Sequence, residues 1–140
     1  MDPLSVTASV IAILQLTSKV ISYLNDINNA PKDCRTCALE TANLCNLLTS
    51  LRFHLDDANE GDPWYTNVRA LAVANGPLDQ YKQGLEKLLS QVTSQDGVAR
   101  VKQQLLWKFS KAEVEGILQR MERLKSLISV ALELDHLYVQ

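Results

Sequence analysis

Three cysteines, two histidines and one run of carboxylates are the groups in this 140-residue chain whose types and spacing bear on chemistry. Cys34-x-x-Cys37 has the spacing of a redox pair, but such pairs follow a strand at a helix start, and no strand is expected before Cys34. A zinc site needs four converging ligands. Cys45 shares a helix face with Cys34, whereas His54 lies nine residues beyond Cys45, half a turn to the opposite side. His136 is remote in sequence. The cysteines therefore read as three small buried hydrophobes. His54 and His136 have no Ser, Cys or carboxylate set beside them by a motif and read as surface or helix-end residues. Asp56, Asp57, Glu60 and Asp62 lack the alternating spacing and closing Glu of a calcium loop and read as a solvated acidic loop. No Gly-x-x-x-x-Gly-Lys phosphate loop occurs. The expectation is no catalytic residue, no metal and no cofactor, and hence not an enzyme.

The elements around these groups are helical. Hydrophobic residues make up 46% of the chain and charged residues 21%, enough to fold as one domain over residues 1–140. Aromatics are only 6%, and Gly plus Pro total 9, which argues against a sandwich or barrel. The spacing predicts a helix from Pro3 to Asn28, with Asp2 as its cap, and another from Asp33 to Asp57. Asp62-Pro63 opens a short helix that Asn75-Gly76 breaks, and Pro77 starts one running to Val92. A further stretch starts near Val98. Ser110-Lys111-Ala112-Glu113 reads as a capping box opening a long helix to His136. Trp64-Tyr65 and Trp107-Lys108-Phe109 read as core or groove anchors. The predicted fold is all-α, an up-down bundle of four main helices plus a short extra one.

Two segments stand out. From Pro3 to Ser18 there is no charge, and from Leu4 to Leu24 the only one is Lys19. As helix the latter segment is about 31 Å long, near the hydrocarbon thickness of a bilayer. Its apolar residues are Leu4, Val6, Val10, Ile11, Ile13, Leu14, Leu16, Val20, Ile21 and Leu24. Ile11 lies off the main stripe and Leu16 at its edge. Seven polar residues (Ser5, Thr7, Ser9, Gln15, Thr17, Ser18 and Ser22) make it a poor constitutive anchor. An ordinary amphipathic core helix fits the periodicity well and is the reading that pattern alone favours.

The second segment is basic. Net charge is −2, which argues against a nucleic-acid binder. Yet Val98–Lys125 holds seven basic residues, Arg100, Lys102, Lys108, Lys111, Arg120, Arg123 and Lys125, against three glutamates. This reads either as a solvated helix face or as contacts to anionic lipid headgroups. The sparse, odd cysteine count, the absence of a glycosylation sequon and the acidic Asp2 point to the cytosol.

The run Met1-Asp2-Pro3-Leu4-Ser5-Val6-Thr7-Ala8-Ser9-Val10-Ile11-Ala12-Ile13-Leu14-Gln15-Leu16-Thr17 resembles the opening of a fungal family. These are the N-terminal domains of STAND-type NTPases, the fungal NOD-like receptors, and more narrowly the HeLo-like and SesA-type groups. Asn75-Gly76-Pro77-Leu78-Asp79-Gln80-Tyr81 is similar as well, as is Leu106-Trp107-Lys108-Phe109 through Met121-Glu122-Arg123-Leu124. The resemblance covers essentially the whole chain. It implies a regulated cell-death effector domain acting in heterokaryon incompatibility or innate immune defence. An attached NACHT or NB-ARC module, or an amyloid-motif partner, would drive homo-oligomerisation. The first helix would then be released to target and permeabilise the plasma membrane, the domain being cytoplasmic until then. The alternative is a soluble helical adaptor that self-associates or docks a partner without entering lipid.

Overall fold

The computed structural model describes residues 3–27, 29–58, 61–93 and 107–139. Among them the chain is all-α, with five helices and no strand. They are α1 (Pro3–Asn25), α2 (Lys32–Asp56), α3 (Pro63–Leu71), α4 (Pro77–Thr93) and α5 (Lys111–Val139). α1 ends at Asn25 rather than at the expected Asn28, because the Asp26 and Ile27 N–H groups turn back to the Tyr23 and Leu24 carbonyls. The expected cap Asp2 and the stretch from Val98 to Leu106 lie outside the described residues.

Each helix buries one stripe. On α1, Val6, Val10, Ile13, Thr17, Val20 and Leu24 are buried, at alternating spacings of about three and four residues. On α2 the stripe runs Cys34, Cys37, Thr41, Leu44, Leu48, Leu51 and Leu55. On α5 it is Val114, Ile117, Met121, Leu124, Ile128 and Ala131. α1 packs on α2 and α4, while α5 packs on α2, α3 and α4. One core joins them.

The ends are set by local chemistry. At α5 the capping box forms as its residues predict. The Glu113 N–H donates to Ser110 Oγ at 3.2 Å, and the Ser110 N–H donates to Glu113 Oε1 at 3.1 Å. Lys87 Nζ, 3.3 Å from Glu113 Oε2, ties α4 to this cap. The backbone N–H of Ser110 is the main cause holding the Glu113 carboxyl below its usual range. α5 extends to Val139, past the expected end at His136.

The short helix α3 ends at Leu71 rather than at Asn75-Gly76. The Ala72 N–H already turns back to the Arg69 carbonyl, and the Gly76 N–H donates to the Val73 carbonyl at 2.9 Å. A tight turn therefore separates α3 from α4. Asn75 takes φ 60°, a left-handed conformation that asparagine tolerates better than most residues. Its N–H donates to Asp79 Oδ2 at 2.9 Å, and Gln80 Nε2 donates to its carbonyl at 3.1 Å. Asn75, Asp79 and Gln80 thus fix the entry to α4.

Gly76 has no room for a side chain: a Cβ would lie 2.8 Å from Val73 Cγ2 and 2.9 Å from the Val73 carbonyl oxygen. Gly116, inside α5, would meet nothing within 4 Å. Opposite outcomes follow for the same substitution. Gly76→Ala is expected to destabilise by about 1–3 kcal/mol through overpacking. Gly116→Ala is expected to stabilise by about 1 kcal/mol through helix propensity. Urea midpoints of the two variants check both signs.

Candidate functional site

The cysteine pair is buried chemistry without reactivity. Cys34 and Cys37 stand in the first turns of α2, 1% and 0% exposed. Cys34 Sγ lies 3.9 Å from the Leu24 carbonyl oxygen of α1. Burial pushes the Cys37 thiol up to about 12, with smaller contributions from Cys34 and Asp33. Burial also raises Cys34, opposed by the nearby Arg35. Thiols held protonated are poor nucleophiles and poor metal ligands. Cys45 corrects the reading of three buried cysteines: it is only half-buried, because it falls at the edge of the α2 stripe. His54 is exposed in the last turn of α2, its ring edge-on to Trp64 at 6.2 Å. No group of three or more His, Cys, Asp or Glu side chains that could hold a metal occurs among the described residues. Of the acidic loop, Glu60 lies outside them.

The aromatic pairs divide. Trp64 and Tyr65 are buried in the core. Trp107 and Phe109 are half-buried against it, their ring centroids 4.9 Å apart and tilted by 56°.

α1 is the segment with unusual composition. Ser5–Asn25 is long and apolar enough to cross a membrane, yet only 28% of its most apolar window is buried in the bundle. Val6, Val10, Ile13, Val20 and Leu24 face the core, and Ile11, Leu14, Leu16 and Ile21 are half-buried. Leu4 lies within α1. The exposed positions are Ser5, Ala8, Ala12, Gln15, Ser18, Lys19, Ser22 and Asn25. A surface helix of a globular protein normally carries charges along its outer face. Here that face is small and polar, with Lys19 its one charge within the helix.

Thr17, one of the polar residues of this helix, is fully buried. Its hydroxyl donates to the Ile13 carbonyl at 2.8 Å. It also meets the Tyr81 hydroxyl of α4 at 2.9 Å. The signal available in the sequence was its place four residues after Ile13 and three before Val20.

The basic residues are not gathered on one face. Arg100 and Lys102 lie outside the described residues. Lys108 is exposed before α5, and Lys111 is exposed in its first turn. At about 100° per residue, Arg120 and Arg123 lie about 60° apart on one side of α5, while Lys125 points to roughly the opposite side. Lys125 Nζ is 3.7 Å from both Glu40 of α2 and Glu122 of its own helix. Arg120 packs its stem over Gly84 of α4. Between α2 and α5 runs a groove of about 380 Å³ lined by Thr36, Glu40, Glu115, Leu118, Gln119 and Glu122. Its lining is acidic, and Lys125 offsets part of that charge.

No family model matches the chain, and neither a curated protein nor a solved structure matches it.

Proposed function

We propose that the chain is a regulated cell-death effector domain of the HeLo-like or SesA kind, whose first helix enters lipid when copies assemble. The observation that carries this reading is the outer face of α1. A helix of bilayer length with Lys19 as its one charge pays almost no charge desolvation on entering hydrocarbon. Lys19 lies near one end, where its stem lets the ammonium reach the headgroups. Its serines and Gln15 keep the helix soluble while it is docked, so storage and insertion suit the same sequence.

Connections of a few residues between α1 and α2, which pack on each other, favour an up-down arrangement of the long helices. Homo-oligomerisation, anionic lipid as the target, a NACHT, NB-ARC or amyloid-motif trigger, and movement from cytoplasm to plasma membrane belong to the same proposal. The split of Lys111 and Lys125 from Arg120 and Arg123 across opposite sides of α5 makes their role one of general attraction rather than a headgroup pocket.

The test is dye release from anionic vesicles by the purified protein and by its Ile11→Lys variant. Ile11 is half-buried, so the change spares the core better than one at Val10. A lysine near the middle of the inserted segment is expected to cut release by about tenfold or more. Full release by the folded variant would falsify insertion.

A second reading is a soluble adaptor. Leu39 and Phe53 favour it, since they are 61% and 65% exposed on the outer side of α2. It expects concentration-dependent association with no release from vesicles.

A further inference from the structure

α1 is separable from the rest of the core by its contacts. It packs on α2 and α4, and lifting it leaves the contacts of α5 with α2, α3 and α4 in place. Most of its buried face is aliphatic, but its middle is polar. The Thr17 hydroxyl has one proton and gives it to the Ile13 carbonyl at 2.8 Å. The Tyr81 hydroxyl, 2.9 Å away, must therefore donate to Thr17 Oγ1. Thr17 is 0% and Tyr81 1% exposed, so no other acceptor is supplied by solvent. Towards the end of α1, the buried Tyr23 hydroxyl has no hydrogen-bond partner among the described residues. Water would satisfy the Tyr23 phenol once α1 lifted, so that hydroxyl adds less to docking than an apolar group of the same shape, whereas the Tyr81 hydroxyl is already satisfied by Thr17.

We propose that the Thr17–Tyr81 pair is a latch that sets how often α1 opens from α2 and α4 while α2 to α5 stay folded. The latch supplies the regulation of the membrane reading, and it rests on that reading only for where the opened helix goes. Its logic is one of satisfaction. With α1 docked, Tyr81 has Thr17 as acceptor. Without that acceptor the phenol is stranded in the core, and opening relieves it by letting water in. Cys34 reports the same event, because its Sγ sits 3.9 Å from the Leu24 carbonyl of α1 and is uncovered when the helix leaves.

The experiment is native-state hydrogen exchange read by mass spectrometry on the full chain, with alkylation of Cys34 followed in parallel. Thr17→Val is expected to speed exchange of α1 amides by about tenfold while amides of Ile117–Ile128 keep their wild-type rate. Adding Tyr81→Phe removes the stranded hydroxyl and is expected to bring α1 back to within about threefold of wild type. Should Thr17→Val not fold, Tyr81→Phe alone keeps Thr17 bonded to Ile13 and is expected to speed α1 exchange by about threefold. Equal acceleration of α1 and α5, or wild-type exchange of α1 in Thr17→Val, overturns the latch. Dye release from anionic vesicles is measured on the same variants. An α1-specific exchange response without release from any variant upholds the latch and removes the membrane reading. Release without an α1-specific response removes the latch alone.

Discussion

Leu124→Ala is expected to cost about 2–5 kcal/mol, a large part of the stability of a domain this size. Leu124 is 0% exposed on α5, the helix that packs on α2, α3 and α4 together. Truncation there loses the transfer energy of the removed methyls. It also leaves a cavity that the close-packed surroundings fill only in part. Leu39→Ala is the matched control. Leu39 is 61% exposed, so the same chemical change is expected to stay within about 0.5 kcal/mol. Urea midpoints at constant m-value measure both. Similar midpoints for the two variants would mean that α5 is not the centre of the core.

The second large effect is chemical. Burial holds the Cys37 thiol at about 12, against its usual 9.0. At neutral pH this leaves about 1,000-fold less thiolate than in the unfolded chain. Alkylation at pH 8 is expected to reach the half-buried Cys45 first, and Cys37 only after denaturation. The same shift makes stability depend on pH. A thiol carries charge only when deprotonated, and the fold resists that charge. The contribution is therefore complete below pH 9, where both states hold the proton. It is lost as pH rises towards 12, because the unfolded chain releases its proton first. By pH 10.5 the loss is expected to be about 2 kcal/mol. Burial raises the Tyr81 hydroxyl in the same sense, from its usual 10.0. Unchanged urea midpoints between pH 8 and pH 10.5 would contradict the burial of Cys37.

The cysteines show what spacing can and cannot say. Cys34 and Cys37 lie three apart on a helix, so one shared face and one shared fate follow from periodicity alone. Cys45 sits at the margin of that face, and only the neighbours of α2 decide how far the margin is covered. Thr17 makes the point more strongly. Residue type counts it as polar, yet it is buried, its hydroxyl satisfied by Ile13 within the helix and by Tyr81, sixty-four residues away. No local pattern contains the second partner.

The basic stretch differs for another reason. Charge adds along a sequence but acts in space. Arg120 and Arg123 count together with Lys125 in a window, but Lys125 faces the other side of the helix, where it is drawn to Glu40 and Glu122. The end of α3 was misplaced because Asn75-Gly76 is a strong turn signal, while the helix stops earlier, where Val73 must receive the Gly76 N–H.

What the sequence determined by itself was local: the all-α class, the stripe on each long helix, the capping box at Ser110, and the length and sparse charge of α1. These rest on periods of a few residues and on hydrogen bonds spanning one turn, so they are complete within a short window. The tertiary structure alone decided that Tyr81 depends on Thr17, that Gly76 has no space, and that Lys125 is drawn to Glu40 of α2. Each of these depends on which atoms from distant parts of the chain arrive at the same place, and close packing rather than spacing selects them.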